Sequence, residues 1–219
     1  MRSARIIYMN NTFTLNLLEI PVYYINLDKD KEKAQSLELL LKQLGFKNIN
    51  RFSGVLEEPK RNGVAKSHKK ILENIADKDF PVLILEDDVD IASFKSTIEI
   101  PNDADAYYLG NSAWGLYGSR GSLQVSKSHF DKDIYKIHNM LAAHAILYLN
   151  KEYVDFLIKA IDFNITIKTN QDKARAQTMK YFNIYASDSP TFFQKGRHEK
   201  FTKINLSALK NFGPERAFG

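Results

Sequence analysis

The sequence predicts an α/β protein: one domain in which a sheet with parallel strands is flanked by helices. Three observations lead there. Apolar runs of strand length alternate with segments of helical periodicity, giving strand, helix, strand, helix, strand before residue 90, the order of right-handed βαβ units. The run Val82–Leu85 is apolar without alternation, as a strand buried on both faces has to be. Finally, 219 residues suffice for one α/β core and fall short of two, and 44% apolar with 26% charged residues marks an ordinary globular chain. No Pro/Gly/Ser-rich linker and no internal repeat divides it.

The elements follow in order. Pro21–Leu27 (PVYYINL) is an apolar and aromatic strand, followed at once by the charged stretch DKDKEK. Ala34, Leu37, Leu41 and Leu44 recur at helical spacing, with Asp28 or Asp30 as the cap and Gly45 as the stop. Ile49–Ser53 forms a short strand, and residues 54–63, charged and carrying Pro59, form a loop. A second helix runs from about Val64 to Asp77, with Val64, His68, Ile71, Leu72 and Ile75 on one face. Ala106–Leu109 is another short strand. The segment 110–128, with four glycines and several serines, reads as a long binding loop or lid carrying Trp114 and Tyr117, whose rings could stack on a sugar or anchor the loop. Ala145–Leu149 is a strand, after which Asn150 caps a helix with Val154, Leu157, Ile158 and Ile161 inside. Gln171–Tyr181 is helical, and Asn183–Ala186 and Thr191–Gln194 are short extended pieces. The expected layout is an N-terminal extension over 1–20, the domain over 21–204 and a tail over 205–219.

The apolar run at Val82 ends on three adjacent carboxylates, Glu86, Asp87 and Asp88. In an open α/β sheet the carboxyl edge of the strands is where ligands bind. Two like charges about 4 Å apart repel by roughly 4 kcal/mol at an effective dielectric near 20, so such a cluster calls for a cation or for protons. Mg²⁺ or Mn²⁺ answers that need, binding through one or two carboxylates plus substrate phosphates and water. The alternative is a turn with an Asp cap and two solvated neighbours. On the metal reading Asp88 is the first ligand. Glu86 shares its strand face by the two-residue period and ligates through water or holds a ribose, while Asp87 points the other way.

Composition narrows the partners. There are no cysteines, which removes disulfides and thiolate metal sites. A net charge of +5 and a pI near 9.1 favour phosphates, in nucleotides or in the anionic headgroups of a membrane touched peripherally. The lysines are scattered and no RRM, helix-turn-helix or zinc-finger pattern occurs, so no nucleic-acid partner is expected. Asn10, Asn11, Thr12, Thr14 and Asn16 interrupt the N-terminal apolar stretch, which argues against a signal peptide and for a cytoplasmic protein.

Three segments together resemble glycosyltransferase family 25, the group of lipopolysaccharide and lipooligosaccharide biosynthesis glycosyltransferases. They are YYINLDKDKEK (Tyr23–Lys33), GVAKSHKKILENI (Gly63–Ile75) and VLILEDDV (Val82–Val89). AAHAILYLNKEYVDFLI (Ala142–Ile158) and NIYASDSPTFFQ (Asn183–Gln194) are weaker matches, and the similarity spans residues 22–203. The resemblance implies a GT-A-like, Rossmann-related mixed sheet flanked by helices. It implies a hexosyltransferase using a UDP-sugar donor, Mn²⁺ or Mg²⁺ and a saccharide acceptor, with inversion. It also implies donor contacts at Asn26, Leu27, Lys29, Ser67, His68, Glu86 and Asp87, and metal contacts at Asp88, Glu86 and His198. An acceptor hydroxyl must lose a proton; the resemblance makes Asp172 the candidate base, with Asp188 as its rival. Asp172 also suits a plain helix first turn. His68 fits a core position or a donor contact, His144 packing, orientation or acceptor binding, and His198 the metal, the diphosphate or a basic turn.

Two departures stand out. Lys29, Lys31 and Lys33 occupy positions where the family usually has arginines, and the two residues grip a phosphate differently. Ala143 stands where a Thr often precedes the His-Ala pair. They keep open a non-catalytic relative that binds a nucleotide-sugar or carbohydrate.

Overall fold

The computed structural model describes residues 11–116 and 123–209. Its centre is an eight-stranded sheet built on β4 (Val82–Glu86), whose Val82 and Ile84 face one apolar cluster and Leu83 and Leu85 the other. In chain order, β1 (Thr12–Asn16) precedes β2 (Val22–Asn26), α1 (Lys31–Gln43), β3 (Ile49–Ser53) and α2 (Lys60–Ile75). After β4 come β5 (Val89–Ile91), β6 (Thr97–Pro101), β7 (Ala106–Tyr108), β8 (Gln124–Lys127), β9 (Ile134–Asn139) and β10 (Ala145–Tyr148). The remainder is α3 (Lys151–Thr166), α4 (Gln171–Thr178), β11 (Ile184–Ser187), β12 (Phe192–Gln194) and the short α5 (Glu199–Thr202).

The strand order is β3-β2-β4-β10-β7-β11-β9-β8. β2 runs parallel to β3 and β4, and β11 parallel to β7, whereas β10 is antiparallel to β4 and β7 and β9 is antiparallel to β11 and β8. The fold is thus a single-domain mixed α/β sheet flanked by helices, the class the sequence predicts. Periodicity does not give the direction of β10: its four residues are buried on both faces, and such a strand looks alike run either way.

One face of the sheet packs against α2, α3 and α4, through Ile71, Leu72 and Ile75 of α2 and Val154, Leu157 and Ile161 of α3. The other carries α1, through Ala34, Leu37 and Leu41, together with Leu17, Ile20 and Ile100. Ile100 lies within β6 of the separate β1–β6 antiparallel pair and Leu17 directly follows β1, so residues 12–20 pack on the domain. Gly45 stops α1 at φ 93°, a left-handed conformation that glycine takes without strain. The Asn150 side chain accepts from the Tyr153 N–H at 2.9 Å and caps α3.

Two boundaries differ from expectation. Helix α2 begins at Lys60, four residues before the periodic stripe, because Gly63 lets its first turn press on the preceding loop; a Cβ there would lie 2.5 Å from the Val55 carbonyl oxygen. Within the expected long loop, Gln124–Lys127 is strand β8, paired with β9. Tyr117 lies outside the described residues.

Candidate functional site

The carboxyl end of β4 assembles the site. Because side chains alternate along a strand, Glu86 turns towards the α2–α4 face and Asp87 towards α1. Asp87 accepts from Asn26 Nδ2 at 2.8 Å and from Lys33 Nζ at 3.5 Å. Asn26 is 1% exposed at the end of β2, its oxygen accepting from Arg51 Nε at 2.9 Å and its amide also donating to the Asp30 carbonyl. Arg51 continues to Asp28 at 2.6 Å. Asp87 therefore braces the loop after β2.

Glu86 and Asp88 converge on one donor. Gln194 Nε2 donates to Glu86 Oε2 at 2.9 Å and reaches both oxygens of Asp88 at 3.4 Å. Antiparallel pairing of β12 with β5 sets Gln194 opposite Val89, and the Lys195 N–H donates to the Asp88 carbonyl at 3.0 Å. The other Glu86 oxygen lies 2.8 Å from His68 Nε2. On the far side of that ring, Arg175 Nη2 is 3.1 Å from His68 Nδ1 and 3.3 Å from the Tyr148 hydroxyl. A guanidinium has no lone pair to offer, so Nδ1 must accept; Nε2 then carries the proton and donates to Glu86. Burial and the Arg175 charge hold the His68 pKa well below its usual value, consistent with this neutral tautomer.

Arg175 is fully buried, and among the described residues its Nε and Nη1 have no hydrogen-bond partner. Asp172, one turn earlier on α4, joins the same group: burial and the nearby Glu86 raise its pKa, against the pull of Arg175 and His68. Burial pushes Glu86 up to about 7, opposed by Arg175 and reinforced by Asp87. Asp88 rises to about 6 through burial and the charges of Glu86 and Asp87, with the Gln194 bond opposing.

These shifts have a sign. Glu86 and Asp88 bind protons more tightly folded than unfolded, so their contribution to stability is fully present below about pH 4 and is lost as pH rises through about 6 and 7. In EDTA, urea unfolding is expected to show a loss from this pair of about 3 kcal/mol between about pH 5 and pH 8. Glu86→Gln with Asp88→Asn should flatten that dependence. An unchanged slope in the double variant would show that these two carboxylates are not the source of the pH dependence.

The remaining candidates are placed as follows. Ser67 donates to the Gly63 carbonyl and accepts from the Val55 N–H, both at 2.7 Å, tying α2 to its preceding loop. Leu27 and the exposed Lys29 lie in the loop after β2, where the Leu27 carbonyl accepts from the Asp30 N–H. His198 sits half-exposed before α5, accepts from Arg197 Nε at 3.1 Å and is near enough to lower the Glu86 pKa. The Asp188 carboxylate is engaged by the Ser207 N–H and hydroxyl, which fasten the C-terminal segment. The Asp172 carboxylate accepts from Gln171 Nε2 at 2.6 Å and lies within electrostatic reach of Glu86. His144 is 1% exposed, its carbonyl accepts from the Glu86 N–H, and burial lowers its pKa to about 4. Its ring lies so close to Gly110 that a Cβ there would come within 2.0 Å of Nε2. Trp114 packs edge-on against Phe201 at 5.5 Å, which anchors its loop.

Sequence reasoning left Arg175 and Gln194 out of the site. Among the described residues no group of three or more His, Cys, Asp or Glu side chains is arranged to hold a metal ion. What converges is the pair Glu86 and Asp88. Two hard oxygen donors whose ionised forms are disfavoured suit an ion that takes its other ligands from phosphate and water.

No protein-family model matches the chain, and no curated protein matches it. Among solved structures it is similar to a nucleoside-diphosphate-sugar pyrophosphorylase from Vibrio cholerae RC9, at 15% identity over 90% of this chain and 81% of that one, with a TM-score of 0.41. A likeness at that level bears on neither activity nor substrate. No helix of the described residues is long and apolar enough to cross a membrane.

Proposed function

We propose that this chain is a metal-dependent glycosyltransferase that moves a hexose, galactose or glucose, from a UDP-sugar to a hydroxyl of a saccharide or glycoconjugate, with inversion. The observation that carries the reading is the convergence of Glu86 and Asp88 beneath a single Gln194 amide at the carboxyl end of β4. The motifs resembling glycosyltransferase family 25 support it, since all three strong ones meet at this edge: Asn26 at the end of β2, His68 on α2 and the acids after β4.

Asp88 and Glu86 would hold Mn²⁺ or Mg²⁺, which when bound supplies Lewis acidity to the departing diphosphate. The chain's own groups do the rest. Gln194 holds the two carboxylates together, and His68, fixed by Arg175, aims Glu86. Asn26 and Lys33 hold Asp87 and with it the loop that would border the nucleotide. Asp172, its proton affinity raised by burial, takes the proton of the acceptor hydroxyl.

The test is thermal unfolding with UDP-galactose and with UDP-glucose, each with Mn²⁺ and with EDTA. The expected result is a rise in Tm with one donor that requires the cation, equivalent to about 2.7 kcal/mol at a hundredfold excess over Kd. That donor should then release UDP in the presence of a saccharide acceptor. Absence of any donor shift overturns the reading, and binding without transfer or donor hydrolysis assigns the chain to a non-catalytic binder.

A further inference from the structure

We propose that the outer face of α3, with the turn around Tyr181, docks on anionic lipid bilayers. This inference does not depend on the transferase reading. Among the described residues seven large apolar side chains are exposed, and four gather here: Phe156 (42%), Phe163 (62%), Ile167 (48%) and Tyr181 (63%). Phe156, Phe163 and Ile167 are seven and four residues apart, so they share one stripe of α3 and its C-terminal cap. The inner stripe of Tyr153, Val154, Leu157 and Ile161 is already spent on the core. The outer stripe continues sideways, because the Phe156 ring lies 5.9 Å from Tyr181 and 5.2 Å from Phe182. A surface helix that is apolar on both sides needs something to cover the second.

Charge says what covers it. Lys159 lies within the stripe, Lys168 follows Ile167, and the Lys180 ammonium sits 4.7 Å from the Tyr181 ring centre. Among the described residues none of these three lysines has an ion-pair partner. The flanking acids are taken up, Asp155 by Lys151 and Asp162 by Lys69, which leaves Glu152 as the one unpaired acid of the helix. The face is therefore apolar and net positive. Protein interfaces are depleted in lysine. At a bilayer the same mixture is matched: rings and Ile167 enter the acyl boundary while the ammonium groups stay among phosphates, each lysine contributing about 1 kcal/mol at an anionic surface. The net charge of +5 adds attraction at longer range.

The experiment is co-sedimentation of the full chain with phosphatidylcholine vesicles and with vesicles containing about one third phosphatidylglycerol, at low and high salt. Binding to the anionic vesicles, weakened by salt, is expected. Phe163→Asp with Ile167→Asp should lower the partition about tenfold or more, and Lys159→Glu with Lys180→Glu should remove the preference for anionic lipid. These positions are exposed, so the variants should melt like the wild type. Failure of the wild type to bind, or equal binding by the Phe163/Ile167 variant, overturns the proposal. So does a wild-type dimer that the same variant converts to monomer, since a second copy would then cover the face.

Discussion

Asp88→Ala is expected to lower hexosyl transfer by about three orders of magnitude while leaving the protein folded, a loss of roughly 4 kcal/mol of transition-state stabilisation. Asp88 lies just past the end of β4, outside the apolar clusters, and among the described residues its carboxylate takes only the two long contacts from Gln194. Removing it takes one of three crowded charges away. With Asp88 pushed up to about 6 by burial and its neighbours, its ionised form is disfavoured at neutral pH. The variant in EDTA at about pH 8 should therefore be more stable than wild type, by about 1–2 kcal/mol. Loss of activity through misfolding would move stability the other way. The same variant should lose the Mn²⁺-dependent thermal shift with the donor. Transfer retained at the wild-type rate would remove Asp88 from the metal site and with it the assignment of a cation to this edge.

Much of this arrangement was legible because the signals are local. Val82–Leu85 is unbroken, so its place at the centre of the sheet and the three carboxylates at its end could be read directly. The helical stripe of His68, Ile71, Leu72 and Ile75, the Asn150 cap and the Gly45 stop are likewise short-range patterns. The illegible parts are those fixed by distant pairing. β1 (TFTLN) and β6 (TIEIP) are brief and only partly buried, and neither carries a continuous apolar run; their pairing with each other makes them strands. Gln194 enters the site because a three-residue strand pairs with β5 about a hundred positions away in sequence, and nothing in the residues flanking it announces that. Nothing local distinguishes Asp172 from Asp188 as a base, and the groups around them, Glu86 acting on Asp172 and Ser207 bonded to Asp188, are distant in sequence. Arg175 was overlooked because a charged residue in QDKARAQT defaults to solvent. Its one local signal is the pair of alanines around it, which leave room for a large side chain to turn inward.

Arg175→Ala is expected to cost about 3–5 kcal/mol in urea unfolding at neutral pH. Three effects add. The guanidinium and its stem leave a void beside Tyr148, His68 and the α2–α4 contact. His68 Nδ1 and the Tyr148 hydroxyl lose a buried donor, and such orphaned groups are costly. Glu86 and Asp172 lose the positive charge that restrains their raised pKa values, so both should titrate higher still. Opposing these is the relief of a buried cation that has two nitrogens, Nε and Nη1, without a hydrogen-bond partner among the described residues. That relief is what decides between variants. Arg175→Met fills most of the void with apolar atoms and removes the strained charge, so it should lose much less stability than Arg175→Ala. Yet it should still free the His68 ring. In wild type, ¹⁵N spectra of His68 should report the proton on Nε2; in Arg175→Met the two neutral tautomers should mix. If Arg175→Met is as unstable as Arg175→Ala, the charge rather than the volume holds this region together. If His68 keeps its Nε2 proton without Arg175, another group sets the tautomer and the link from α4 through α2 to Glu86 is broken.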